Sequence, residues 1–245
     1  MFNKKAQITF FIFLGILILI FLSVFYFDNS DSTFLSQSEF KSEVDSFKQY
    51  LSECAKLATH NNIALIGLRG GYINLQEPYF TTLNFSTNYL YYDGKDQVPN
   101  ITTVRAQLSL GVSHDIKQCI NLTPFPNVEF IINNDPTILM EFDKESTLFL
   151  INWNIIVQKD SFSFPTSEFT INYPISLLSF IDTAQKIVDM TKANPDFIDV
   201  AYLLQQDVNT TIVKYSNDTL VYQLTKPDNT IDGLPYYFIF ASKVQ

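Results

Sequence analysis

Ile8-Thr9-Phe10-Phe11-Ile12-Phe13-Leu14-Gly15-Ile16-Leu17-Ile18-Leu19-Ile20-Phe21-Leu22-Ser23-Val24-Phe25-Tyr26-Phe27 is an uncharged run, interrupted only by Thr9, Gly15 and Ser23. At about 1.5 Å per residue it makes a helix of about 30 Å, the hydrocarbon thickness of a bilayer. In lipid each backbone N–H and C=O must find a partner within the segment, which a helix provides. Lys4 and Lys5 precede the run, Asp28 and Asp31 follow it, and the next lysine is Lys41. By the positive-inside rule the N-terminus then stays in the cytoplasm and the rest is exported. A cleaved secretory signal has a shorter apolar core and ends in small residues, whereas Val24-Phe25-Tyr26-Phe27 is bulky. The expectation is a single-pass anchor in the cell membrane, with the lipid bilayer as first partner and an extracytoplasmic C-terminal domain.

The residues around the start of the run add a resemblance. Lys4-Lys5-Ala6-Gln7-Ile8-Thr9 ahead of a long apolar stretch resembles an archaeal class III signal peptide, as in type IV pilin precursors. The resemblance covers about the first 27 residues and implies processing between Ala6 and Gln7, with the apolar helix retained. It also implies sister subunits that bundle through that helix. Many pilins carry Glu at the fifth position after the cut, where this chain has Phe11. Leu68-Arg69-Gly70-Gly71-Tyr72-Ile73 and Phe238-Ile239-Phe240-Ala241 look similar to signal-anchored surface proteins of small-genome archaea, a likeness that implies no activity.

Charge narrows the partners. Of 16 Lys and Arg, Lys4 and Lys5 precede the run, leaving 14 basic against 25 acidic residues beyond it, a net charge near −11. Such a domain repels nucleic acid, so no nucleic-acid partner is expected. Only Arg69 and Arg105 offer a guanidinium for bidentate anion recognition. Sequons at Asn84, Asn100, Asn121, Asn209 and Asn217 fit an exported surface, although Pro124 directly follows the Asn121 sequon. Candidate glycosylation sites are therefore Asn84, Asn100, Asn209 and Asn217.

Downstream, 28–33 is polar and Ser36-x-x-Glu39 has capping-box form, with Leu35 and Phe40 as a hydrophobic staple. Phe40, Val44, Phe47, Leu51, Cys54 and Ala58 then draw one apolar stripe on a helix that Gly70-Gly71 can end. Val104, Leu108, Val112 and Ile116 predict a second helix ending near Cys119, after an aromatic-rich connection. Strand patterns follow at 128–132, 137–142 and 147–157. Pro174 fits the first turn of a third helix with Leu177, Ile181, Ala184, Val188 and Thr191 on one face, and a short helix is predicted over 196–205. Strands over 210–215, 219–224 and 236–241 close the chain. The domain plan is a leader 1–6, a transmembrane helix 7–27, a linker 28–35, a helical region 36–126 and an α+β region 127–245. Residues 36–245 form one composite α+β domain with a mostly antiparallel sheet.

Cys54 and Cys119, the only cysteines, lie near the ends of apolar stripes on different predicted helices, and outside the cytoplasm they are expected to pair. The alternative is two buried thiols. His60 and His114 lie near them in sequence, but spacings of six and five residues set a helical His well around from its Cys, against a Cys2His2 metal site. His114-Asp115 point different ways on a helix, and Asp182, Asp189, Glu141 and Glu145 are surface candidates first. The chain has no P-loop, HExxH or GxSxG. Tyr72, Tyr79, Phe80, Phe85, Tyr89, Tyr91 and Tyr92 are candidates for a glycan- or protein-binding surface, with core packing the simpler fate. The reading is a non-enzymatic surface protein without cofactor or metal, in a pilin-like structural or adhesion role. The alternatives are an anchored binding protein that does not polymerise and, less favoured, an extracytoplasmic hydrolase.

Overall fold

The computed structural model describes residues 4–195 and 198–244 and, among these, all side chains except those of 4–14, 21, 23–36 and 167. The first element, α1 (Lys4–Leu68), is one unbroken helix of 65 residues. It contains no proline, and glycine only at Gly15 and Gly67. The helix expected to start at the capping box of 36–39 instead continues one already begun, and the expected linker 28–35 is helical. Its weak helix formers cost at most about 0.7 kcal/mol each, whereas a break would require a new nucleus. Among the described residues no helix is long and apolar enough to cross a membrane. Most side chains of the segment 7–27 lie outside that description. Of those inside it, Ile16 to Ile20 and Leu22 are 49–68 % exposed.

Further along α1 the predicted stripe turns inward: Phe40, Val44, Phe47, Leu51, Cys54 and Ala58 are at most 5 % exposed. The helix ends where the two glycines stand. Gly70 adopts φ +66°, its N–H donates to the Gly67 carbonyl and that of Gly71 to the Ile66 carbonyl, the paired bonds of a Schellman cap.

The aromatic connection is a set of strands, β1 (Tyr79–Thr81), β2 (Ser86–Tyr92) and β3 (Lys95–Asp96). Asp93-Gly94, both at positive φ, turn β2 into β3. Next, α2 (Ile101–Cys119) starts at Asn100, whose side chain accepts from the Thr103 N–H at 2.8 Å, and it buries the four residues its spacing predicts.

Then come β4 (Glu129–Ile132), β5 (Thr137–Phe142), β6 (Thr147–Lys159) and β7 (Phe162–Tyr173). β6 pairs with β7 along nearly its whole length, while β4 opposes its 155–158 portion and β5 its 147–152 portion. The sequence reading placed no strand over 162–173, a segment that contains Pro165. An edge strand tolerates a missing N–H, and β7 pairs with β6 alone.

α3 (Leu177–Ala193) begins later than Pro174 predicts. The Ile175 N–H turns back to Tyr173 O and the Ser176 N–H is taken by the Asn229 side chain at 2.8 Å. α4 (Val200–Leu203) is one turn capped by Asp199, shorter than the predicted 196–205, of which 196 and 197 lie outside the described residues. The remaining strands are β8 (Asn209–Lys214), β9 (Thr219–Thr225), β10 (Thr230–Ile231), β11 (Leu234–Pro235) and β12 (Phe238–Lys243).

The second sheet runs β1-β2-β12-β9-β8, with β3 also on β2, and only its β2–β12 pair is parallel. The described chain is therefore mixed α+β with antiparallel sheets. Its main core draws on Phe47 and Ile63 of α1, Leu108 of α2, Phe149 and Val157 of β6, Phe180 of α3, and Leu224, Phe238 and Phe240 of the second sheet. α1 touches β6 and β7 of one sheet and β12 of the other.

Candidate functional site

The stripe that buries one face of α1 leaves Glu53, Lys56 and His60 on the opposite face and Leu57 and Asn61 along its flank. Together with Ile171 and Tyr173 of β7 and Asp232, they line a groove of about 500 Å3. Asp232, at φ +50°, and Gly233 form the turn between β10 and β11. That turn brings the Asp232 carboxylate to 3.4 Å from His60 Nδ1. On the other wall the Tyr173 hydroxyl shares a hydrogen bond with Thr59 Oγ1 at 3.1 Å and donates to Lys56 O at 3.2 Å. Burial first, then the Asp232 charge, push the Tyr173 phenol above its ordinary value despite the Thr59 bond, so it stays protonated at neutral pH. The lining residues include no Ser, Thr or Cys that His60 could activate. The groove offers hydrogen-bonding groups of both charges around an exposed leucine, a surface suited to contact.

Cys54 and Cys119 are joined in a disulfide, with Cα atoms 5.7 Å apart. Each sulfur is spent on the other, which removes both from any Cys2His2 set. Among the described residues no group of three or more His, Cys, Asp and Glu side chains is placed to hold a metal. His114 is exposed, while Asp115 accepts from Asn62 Nδ2 of α1 at 2.7 Å and so helps hold α1 to α2. Asp182, Asp189, Glu141 and Glu145 are all exposed. Tyr50 completes the α1–α2 joint, its hydroxyl donating to Cys119 O and accepting from the Asn121 N–H, both at 2.8 Å.

No family model, curated protein or solved structure matches this chain. What it does must be read from its own residues.

The aromatic group divides between the two faces of the second sheet. Tyr91 belongs to the main core and Tyr72 packs against it, the Tyr72 hydroxyl donating to Gln97 O at 2.8 Å. On the other face Phe80 joins Val221 and Ala241 under Phe85, Tyr89 and Ile239, and Tyr79 stays 40 % exposed. The sequon asparagines are all exposed: Asn84 between β1 and β2, Asn100 at the α2 cap, Asn121 after α2, Asn209 at the start of β8 and Asn217 between β8 and β9. Ala6 and Gln7 fall in the helical backbone of α1, with side chains outside the described residues.

Asp232 and Asp96 escaped the sequence reading, although an Asp-Gly dipeptide near each marks the hairpin that positions it. Asp96 of β3 accepts from Gln185 Nε2 of α3 at 2.9 Å, from the Val98 N–H at 3.1 Å and from Lys192 Nζ at 3.5 Å. Burial pushes its carboxyl up, but these donors outweigh burial and hold it below the usual carboxylate range. A group more acidic when folded than unfolded stabilises fully above the unfolded value, near about pH 4, and loses that contribution as pH falls through the folded one. Asp96→Asn should therefore flatten the fall of stability below about pH 4. Urea melts at a series of pH values check this, and parallel wild-type and variant curves would refute it.

Proposed function

We propose that this chain is a membrane-anchored extracytoplasmic surface protein with a pilin-like structural or adhesion role, and not an enzyme. The observation that carries the reading is the uncharged apolar run 8–27, which heads a helix whose later stripe builds the domain's core. Water around such a run would face continuous apolar surface, and acyl chains remove that cost. Supporting it are Lys4 and Lys5 on one side only, a disulfide suited to an oxidising compartment, and sequons on exposed positions. Processing between Ala6 and Gln7 would leave the helix free to bundle with sister copies. Phe11 stands where the registering Glu of many pilins would be, and this favours a second reading, an anchored protein that binds a surface partner or glycan without polymerising.

Native membranes provide the test. The full chain should remain in the pellet after alkaline carbonate extraction, be digested by protease added to intact cells, and begin at Gln7 by mass spectrometry. Deleting 7–27 should move it to the soluble fraction. Detergent extracts that sediment as polymers favour the pilin-like role, and a detergent-soluble monomer favours the binding role. A full-length chain that stays soluble without detergent would remove the anchor and both roles.

A further inference from the structure

Of the five sequons only one has an aromatic residue two positions before its asparagine. The segment is Tyr215-Ser216-Asn217-Asp218-Thr219, whereas Thr82, Val98, Cys119 and Asp207 precede Asn84, Asn100, Asn121 and Asn209. In the structure Tyr215 to Asp218 form the turn between β8 and β9, and Thr219 opens β9. The Tyr215 N–H donates to Thr219 O at 3.0 Å and the Ser216 N–H to the same oxygen at 3.4 Å, so Tyr215 and Thr219 close the base and Asn217 stands exposed between them. Asp218 braces the turn through the Ser216 hydroxyl, the Thr219 hydroxyl at 3.1 Å and Lys243 at 3.6 Å. The Tyr215 ring meets Phe80 edge-on at 4.8 Å, yet remains 49 % exposed. Phe80 orients the ring, and Tyr215 and the acceptor Asn217 are both exposed on the same turn.

We propose that Asn217 is an N-glycosylation site of this chain and that the first sugar of its glycan packs on Tyr215. The proposal rests on the exported topology argued above. A pyranose presents a face of polarised C–H groups, and the electron-rich face of a phenol attracts them. Tethering the sugar two residues away makes the contact intramolecular, so little freedom is left to lose. In the transfer, Asn217 Nδ2 attacks C1 of a sugar carried on a lipid phosphate. The C1–N bond forms as the C1–O bond to phosphate breaks, the phosphate keeps the electron pair, one amide proton is released, and no oxidation state changes.

The experiment is glycopeptide mass spectrometry and thermal melting of the full-length chain made in a glycosylating yeast and purified in detergent. Asn217 should carry glycan in most molecules. Asn217→Gln should then lower Tm by roughly 2–4 °C when Tyr215 or Tyr215→Phe is present, and by less than about 1 °C in the Tyr215→Ala background. An equal loss in all backgrounds overturns the packing on Tyr215. Glycan at another sequon with Asn217 bare overturns the site and leaves export standing. A chain bare at all five asparagines overturns the site and the exported topology together.

Discussion

Replacing both Cys54 and Cys119 by alanine should lower domain stability by about 4 kcal/mol. The bond spans 65 residues, and in the chain-entropy model cutting a loop of that length frees the unfolded ensemble by this amount. The folded state should change little. Val104, Leu108, Val112 and Ile116 stay buried against the core, and Tyr50 still ties α1 to the end of α2. The variant should fold, bind no more dye than wild type, and melt roughly 8–16 °C lower by circular dichroism. Wild type with reductant should follow it. A shift below about 3 °C would mean that the unfolded chain is already confined without the bond.

The second large effect is expected at Gly67, near the end of α1. A Cβ there would lie 2.4 Å from the Tyr236 hydroxyl and 2.5 Å from the Tyr237 carbonyl oxygen. The Tyr236 hydroxyl is itself committed, donating at 2.9 Å to the Ile63 carbonyl, and its burial raises the phenol far above its ordinary value. In an open helix Gly→Ala gains about 1 kcal/mol. Here Gly67→Ala should cost about 3 kcal/mol, because the segment leading into β12 must retreat and a buried hydrogen bond is lost. Gly15→Ala supplies the contrast, since nothing lies within 4 Å of its added carbon. Denaturant melts should show Gly67→Ala well below wild type and Gly15→Ala at or slightly above it, and equal midpoints for the Gly67 variant and wild type would refute the packing account.

These two sites differ in how far the sequence revealed them. The Cys54–Cys119 bond was legible because each cysteine lies near the end of an apolar stripe with helical spacing, and two stripes that face a common core meet. The buried faces of α2 and α3 followed from the same periodicity. The Gly70-Gly71 helix end was also legible, since left-handed backbone favours glycine. The need for glycine at position 67 was not, because it depends on a tyrosine more than 160 residues away. β7 was hidden by Pro165, which only edge placement excuses. β1 to β3 were hidden by aromatics, which suit a loop cover and a strand equally well. The groove needed Asp232 beside His60, a contact between distant segments that no local pattern encodes.

The placement of β12 also orders events at the ribosome. The last strand lies between β2 and β9, pairing parallel with one and antiparallel with the other, and Thr87 of β2 donates its hydroxyl to Ile239 O at 2.6 Å across 152 residues of chain. Until the 238–243 segment emerges, β2 and β9 each present an unpaired edge, and Leu90, Tyr222 and Leu224 lack the phenylalanines that will cover them. The β2 edge therefore stays open while residues 93–237 are made, and the β9 edge joins it only for 226–237. Whatever escorts the chain during that interval must shield the edge that residues 238–243 cover.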